Sequence, residues 1–141
     1  MNNKLIDSEL NEYLFEILDQ AKNGITITDP NKEDNPIIYV NQTFTNLFEY
    51  QYNDIIGFNC RFLQGEDREQ KSIEKIRDAI EKQIPTTVIL RNYTKSGKLI
   101  FNELTISPIF DKSTQKIKYF LGVQKDVTKE QNLLKELSSL I

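Results

Sequence analysis

Histidine and tryptophan are absent from this 141-residue chain, and cysteine and methionine occur once each. Without histidine there is no Ser-His-Asp triad, no Cys-His dyad and no imidazole to hold a metal. A single cysteine, Cys60, excludes an internal disulfide, a CxxC redox pair and a thiolate zinc cage. No apolar run approaches the ~18 residues that would suggest a membrane-spanning helix, and Met1-Asn2-Asn3-Lys4 lacks the apolar stretch of a secretory signal. An excess of basic charge is lacking too. Lys and Arg number 18 against 21 Asp and Glu, net −3, interspersed so that no basic stripe follows a phosphate backbone. These absences lead to the expectation of a cytoplasmic protein that contacts neither nucleic acid nor membrane.

What is present reads as one globular domain of ordinary size, with 38% hydrophobic and 28% charged residues. Leu10, Leu14, Ile17, Leu18 and Ala21 recur at helical spacing and predict an amphipathic helix over 8–22, stopped by Asn23-Gly24 with glycine at positive φ. Ile25 to Thr28 alternates as a strand, and 36–40 is a second. Asn41 is placed to cap a helix carrying Phe44, Leu47 and Phe48. Short helical turns broken by Gly57 follow over 50–64, then a helix over 67–83 with Ile73, Ile76 and Ile80 on one side. Strands at about 86–94, 98–109 and 117–126 are joined by turns at Lys95–Lys98 and Asp111–Gln115. Thr128-Lys129-Glu130-Gln131 has the pattern of a capping box opening a terminal helix. Helices grouped between two sets of strands predict an α+β fold: a five-stranded antiparallel sheet with helices on one face and flanking terminal helices.

Certain polar residues are out of place in that scheme. Asn102 shares strand parity with Ile100, Leu104 and Ile106, and Asn92 shares it with Val88 and Leu90. Gln124 lies in a third neighbouring strand, where Leu121 and Val123 make the opposite parity the more apolar one. Amides on apolar faces need hydrogen-bond partners; these line a ligand or are satisfied locally. Cys60 is a small buried apolar residue or a reactive thiol. Arg61 and Arg77 are surface charges or, if they converge, a phosphate clamp. Residues alone take the argument to a ligand-binding α+β domain.

Cys60 sits in Gly57-Phe58-Asn59-Cys60-Arg61-Phe62-Leu63-Gln64. This octapeptide resembles the signature of light-oxygen-voltage (LOV) domains, the flavin-binding blue-light branch of the PAS superfamily. The resemblance extends to Ile27-Thr28-Asp29-Pro30, Asn35-Pro36-Ile37-Ile38-Tyr39, Lys75-Ile76-Arg77-Asp78-Ala79-Ile80, Asn92-Tyr93-Thr94-Lys95-Ser96-Gly97 and Gly122-Val123-Gln124, covering about residues 24–127. It divides the chain into an N-terminal flanking helix over 1–22, a PAS-like core over 23–127 and a C-terminal linker helix over 128–141.

The resemblance implies a photoreceptor module rather than an enzyme. Cys60 is then the thiol that bonds reversibly to flavin C4a after blue-light excitation. Arg61 and Arg77 resemble the phosphate-binding arginines, and Asn92 and Asn102 the amides at the pyrimidine edge. Gln64 resembles the glutamine that contacts the ribityl chain and ring, and Asn59 a neighbouring pocket residue. Thr28, Leu104 and Ile106 resemble pocket wall, and Gln124 the amide that rotates when flavin N5 gains a proton. Phe58 stands where the family often has Arg or Lys, and Gly24 where many plant members have Asn. The short Gly65–Arg68 loop lacks the insertion of members that take FAD and so favours FMN. A flavin-binding redox sensor and a constitutive PAS dimerisation module are the competing functions. The apolar stripes of the terminal helices imply a homodimer, and the chain is either a short photoreceptor or a fragment preceding an effector.

Overall fold

The computed structural model describes residues 8–141. Two short helices, α1 (Ser8–Glu12) and α2 (Leu14–Asp19), lead into β1 (Gly24–Thr28) and β2 (Ile37–Val40). Helices α3 (Gln42–Phe48) and α4 (Tyr52–Ile55), a 3-10 turn (Cys60–Gln64) and α5 (Lys71–Lys82) follow. Strands β3 (Thr86–Tyr93), β4 (Leu99–Phe110) and β5 (Ile117–Asp126) then complete the sheet before α6 (Thr128–Ser139). The sheet has five strands in the order β2-β1-β5-β4-β3, every pair antiparallel. This is the PAS fold expected from the sequence. No helix of the described residues is long and apolar enough to cross a membrane.

Pairing of β1 with β5 puts the first and last strands side by side in the middle of the sheet. Gly24, where β1 begins, lies opposite Gln124, near the end of β5. Both flanking segments therefore leave the sheet at one place. Gly24 is needed there for closeness rather than for positive φ: an added Cβ would sit 3.3 Å from Phe44 Cα and 3.4 Å from Gln124 Cβ. The expected helix stop at Gly24 is thus corrected.

The single helix expected over 8–22 is corrected as well. It turns at Tyr13, whose N–H bonds only three residues back to Leu10, and it ends at Asp19; residues 1–7 lie outside the described part. Its end is held by the core. Asn41 is fully buried: its Oδ1 accepts from the N–H groups of Ile25 (2.8 Å) and Phe44 (3.1 Å), capping α3 as expected. Its Nδ2 donates to the carbonyls of Leu18 (2.8 Å) and Asn23 (3.1 Å). One side chain thereby ties α2, β1 and α3 together. Beneath it lie Ile37, Val40, Phe44, Phe48, Ile55, Leu63 and Ile100, the packed core below the helical side.

Helix α5 starts at Lys71, not Asp67. Residues 67–70 are instead held against the open edge of β3. Gln70 accepts from Arg91 N–H at 2.9 Å and donates to Arg91 O at 3.0 Å, so its amide imitates a strand neighbour. The Asp67 carboxylate grips the Arg91 guanidinium at 2.7 and 2.9 Å and accepts from the Tyr93 hydroxyl at 2.6 Å. At the other end, the Thr128 capping box does not form. Val127 occupies the cap position, and the Thr128 hydroxyl accepts from Phe101 N–H at 2.9 Å while donating to Asp126. Tertiary bonding to β4 replaces the local cap.

Candidate functional site

Strand parity brings the amides to one side. Asn92 on β3, Asn102 on β4 and Gln124 on β5 are all buried on the inner face, with Thr26 and Thr28 of β1. On β5 the inward set is Phe120, Gly122 and Gln124, while Leu121 and Val123 are half-buried on the other side. The outer face of the sheet is itself apolar there, so hydrophobicity alone pointed the wrong way. Across from the sheet stand the 3-10 turn and α5, which turns Ile76 and Ile80, four residues apart, towards the strands.

Between these layers lies a cavity with one open side. Leu63, Ile76, Ile80, Leu90, Leu104, Ile106 and Phe120 supply its apolar lining, and Thr28, Asn59, Arg61, Gln64, Asn92, Asn102 and Gln124 its polar points. Cys60 also lines it. Burial pushes the Cys60 thiol up to about 12, and the backbone amide and Arg61 only partly oppose this. The sulfur is held as a neutral S–H.

Three buried oxygens in this cavity have no hydrogen-bond partner: Asn35 Oδ1, Asn102 Oδ1 and Gln124 Oε1. The rest of each network is ordered. Asn102 Nδ2 donates to Asn92 Oδ1 at 3.0 Å, and Gln124 Nε2 donates to Thr26 Oγ1 at 3.2 Å. An unmet buried acceptor costs about 1–3 kcal/mol. Three in one cavity suit a ligand that donates hydrogen bonds. Gly122 leaves the room: a Cβ there would collide with Thr26 Oγ1 and lie 3.0 Å from Gln124 Nε2.

At the mouth, Arg61 forms a two-pronged pair with Asp34, both contacts 2.6 Å, and is about half exposed. Asn59 fastens the same loop by donating to Asp34 O at 2.7 Å and caps the 3-10 turn by accepting from Arg61 N–H at 2.9 Å. Asp34 and Asn35 both have positive φ, 65° and 47°, so this clamp holds an uncommon backbone. The two arginines named from the sequence do not meet. Arg77 is exposed on α5, outside the lining, with no ion pair to it among the described residues.

Thr28, Asn59, Cys60, Arg61, Gln64, Asn92, Asn102, Leu104, Ile106 and Gln124 are brought together as the sequence suggested. Thr26, Asn35, Leu63, Ile76, Ile80, Leu90, Phe120 and Gly122 were missed. Parity with Thr28, Asn92 and Gln124 would have found Thr26, Leu90, Phe120 and Gly122. Asn35 carried no such signal, because a turn sets its direction.

Residues 22–129 match the family model of the PAS domain. A blue-light photoreceptor of Listeria innocua is 44% identical over 126 residues, 89% of this chain and 49% of the relative. The chain thus spans about half the length of that curated relative. Among solved structures, an RNA-binding light-oxygen-voltage receptor is 30% identical with a TM-score of 0.86, covering 99% of this chain and 40% of that one. A light-oxygen-voltage domain whose mechanism was studied with a flavin analogue is 35% identical with a TM-score of 0.76, covering 94% of this chain and 99% of that one. With the PAS model matched across the sheet and helices, and such relatives alongside, this chain belongs to the PAS domain family, in its light-oxygen-voltage branch.

Proposed function

We propose that this chain is a blue-light sensor module that holds FMN in the cavity beside Cys60 and signals through its flanking helices. One observation carries the reading: a neutral, half-buried thiol shares its cavity with unmet amide oxygens of Asn35, Asn102 and Gln124. FMN carries donors for those acceptors, the ring N–H and the hydroxyls of its ribityl chain. Its ring system is flat, with an N–H and carbonyls along one edge, and the Asn92–Asn102 pair offers amide groups of both kinds. When bound, FMN supplies blue-light absorption and an excited ring carbon that takes the Cys60 sulfur in a reversible bond.

The protein's own part follows from its side chains. The Cys60 S–H would add across the C4a=N5 bond of the ring, sulfur to the carbon and proton to the nitrogen, so no basic residue is required. Leu104, Ile106, Ile76 and Ile80 keep water from the ring. Arg61, half exposed at the mouth, exchanges Asp34 for the ligand's phosphate. The short loop after Gln64 favours FMN over FAD. Gln124 has an amine held by Thr26 and a free carbonyl. Rotating that amide exchanges the two, and the Thr26 hydroxyl then turns from acceptor to donor. Gln124 lies opposite Gly24, close to both flanking helices, and two residues before the Asp126–Thr128 link to α6. A change at one amide thereby reaches both terminal segments.

Exposed Leu10, Tyr13 and Ile17 on one flank, and Leu133, Leu134, Leu137 and Leu140 on the other, support a homodimer through these helices. Output belongs to a partner or a further domain. One neighbouring structure is of an RNA-binding receptor, whereas this chain carries net charge −3 with Lys and Arg interspersed among Asp and Glu. The experiment is absorption spectroscopy of the purified protein reconstituted with FMN: blue light bleaches the visible band and darkness restores it. A colourless product, or a band indifferent to light, would refute the proposal.

A further inference from the structure

Away from the cofactor cavity, three aromatic rings from three elements share one concavity with a carboxylate. Phe15 on α2 lies 5.0 Å from Tyr39 on β2, centroid to centroid, and Tyr39 meets Tyr52 on α4 edge-on at 6.4 Å. With Asp19, Gln42 and Thr45 they line a second concavity of about 740 Å³, open on one side. Ordinary core packing would cover these rings, yet Phe15 is 60% exposed and Tyr52 41%. The Tyr39 hydroxyl oxygen is buried and has no hydrogen-bond partner. Asp19, which lines the concavity, uses Oδ1 to accept from Gln42 N–H at 2.7 Å, which leaves its second carboxylate oxygen for another donor. Burial and the nearby Asp19 charge raise the Tyr39 hydroxyl above its usual range, so it stays protonated and able to accept from a cation.

Aromatic faces around a carboxylate are the components of a cation site. The unmet hydroxyl narrows the choice, because a quaternary ammonium has no N–H to give it. A guanidinium is flat enough to stack on rings and carries five N–H donors. The flanking segment adds long-range attraction: Ser8 to Asp19 holds Glu9, Glu12, Glu16 and Asp19 with no basic residue. That acidic helix favours an arginine within a basic peptide over a free amino acid, whose own carboxylate it would repel.

We propose that this concavity is a docking site for an arginine side chain of a partner protein, its guanidinium stacked on Phe15 and Tyr52 and donating to the Asp19 carboxylate and the Tyr39 hydroxyl. The site straddles the joint at which α2 is fastened to the core by Asn41 and Thr43. A bound arginine bridges flanking helix and core without touching the cofactor cavity. The proposal does not depend on the photochemical reading.

The test is a titration of the full ¹⁵N-labelled chain, followed by amide chemical shifts, with three probes: acetyl-Gly-Arg-Gly amide, the same peptide with citrulline, and tetramethylammonium. The arginine peptide should shift Phe15, Tyr39, Gln42 and Tyr52, and the other two should bind about tenfold more weakly or worse. Tyr39→Phe should weaken the arginine peptide about fivefold while keeping the thermal midpoint and the remaining spectrum. Equal binding of the citrulline peptide would overturn charge recognition. Equal binding of tetramethylammonium would overturn the guanidinium assignment. Shifts confined to other residues, or none at tens of millimolar probe, would overturn the site.

Discussion

Replacing Gly122 with alanine puts a methyl group into the most crowded point of the cavity wall. It would collide with Thr26 Oγ1, press on Gln124 Nε2 at 3.0 Å and touch Leu104 Cδ1 at 3.6 Å. Gly122 lies between Thr26 and Ile106 in the centre of the sheet, so the backbone has little freedom to retreat. Overpacking of this kind costs about 1–3 kcal/mol. Forcing Thr26 and Gln124 apart loses a buried hydrogen bond for about 1 kcal/mol more. A total of about 2–4 kcal/mol lowers the thermal midpoint of a domain this size by roughly 10 °C. The assay is circular-dichroism melting of wild type, Gly122→Ala, Thr26→Ala and the double variant. Because Thr26→Ala removes the atom that is struck, the alanine at 122 should be far less harmful in that background, with a coupling of about 1 kcal/mol or more. Additive effects would show that the Thr26 contact is not the reason for glycine at 122.

Asn102→Leu removes an unmet oxygen but strips Asn92 Oδ1 of its donor, so the stability of the flavin-free protein should change by less than about 1 kcal/mol in denaturant melts while FMN retention falls by about tenfold or more; unchanged FMN retention would count against a ligand-facing Asn102. Asn41→Ala deletes four hydrogen bonds at the junction of α2, β1 and α3 and should cost about 3 kcal/mol, with amide exchange accelerating first at Leu18–Asn23. Hydrogen bonds from Arg91 and then Tyr93 hold the Asp67 carboxylate at about 2, below its ordinary 3.8. A lowered folded-state value means stability that is present above pH 3.8 and lost as pH falls towards 2. Wild type should therefore lose about 1 kcal/mol across that window, solvent screening included, relative to Asp67→Asn. Sedimentation in light and darkness should show a dimer at high concentration, and a strictly monomeric profile in both would end the homodimer proposal.

The fold was legible because its strands alternate cleanly and its turns carry strong punctuation: Lys95–Lys98 between β3 and β4, Asp111–Gln115 between β4 and β5. Asn92 and Asn102 could be placed inward for the same reason, each being a polar residue in an apolar set. Gln124 could not be oriented by hydrophobicity, because β5 is central and both of its faces are largely covered. Helix ends failed wherever a distant partner outbid the local signal. Gln70 and Asp67 serve β3 rather than α5, and Thr128 serves Phe101 rather than its own first turn. Arg61 shows the same limit: spacing puts it at the cavity, but only the folded chain reveals Asp34 as its partner. Asn35 depends on two successive positive-φ residues that no periodicity encodes.

The decisive measurement is the visible absorption of wild type and Cys60→Ala, each carrying FMN, before, during and after blue light. The wild-type band should fade and return in darkness, while the alanine protein keeps its colour and does not fade. Reversible bleaching that survives loss of the only sulfhydryl, or a wild-type spectrum that ignores light, would contradict the account.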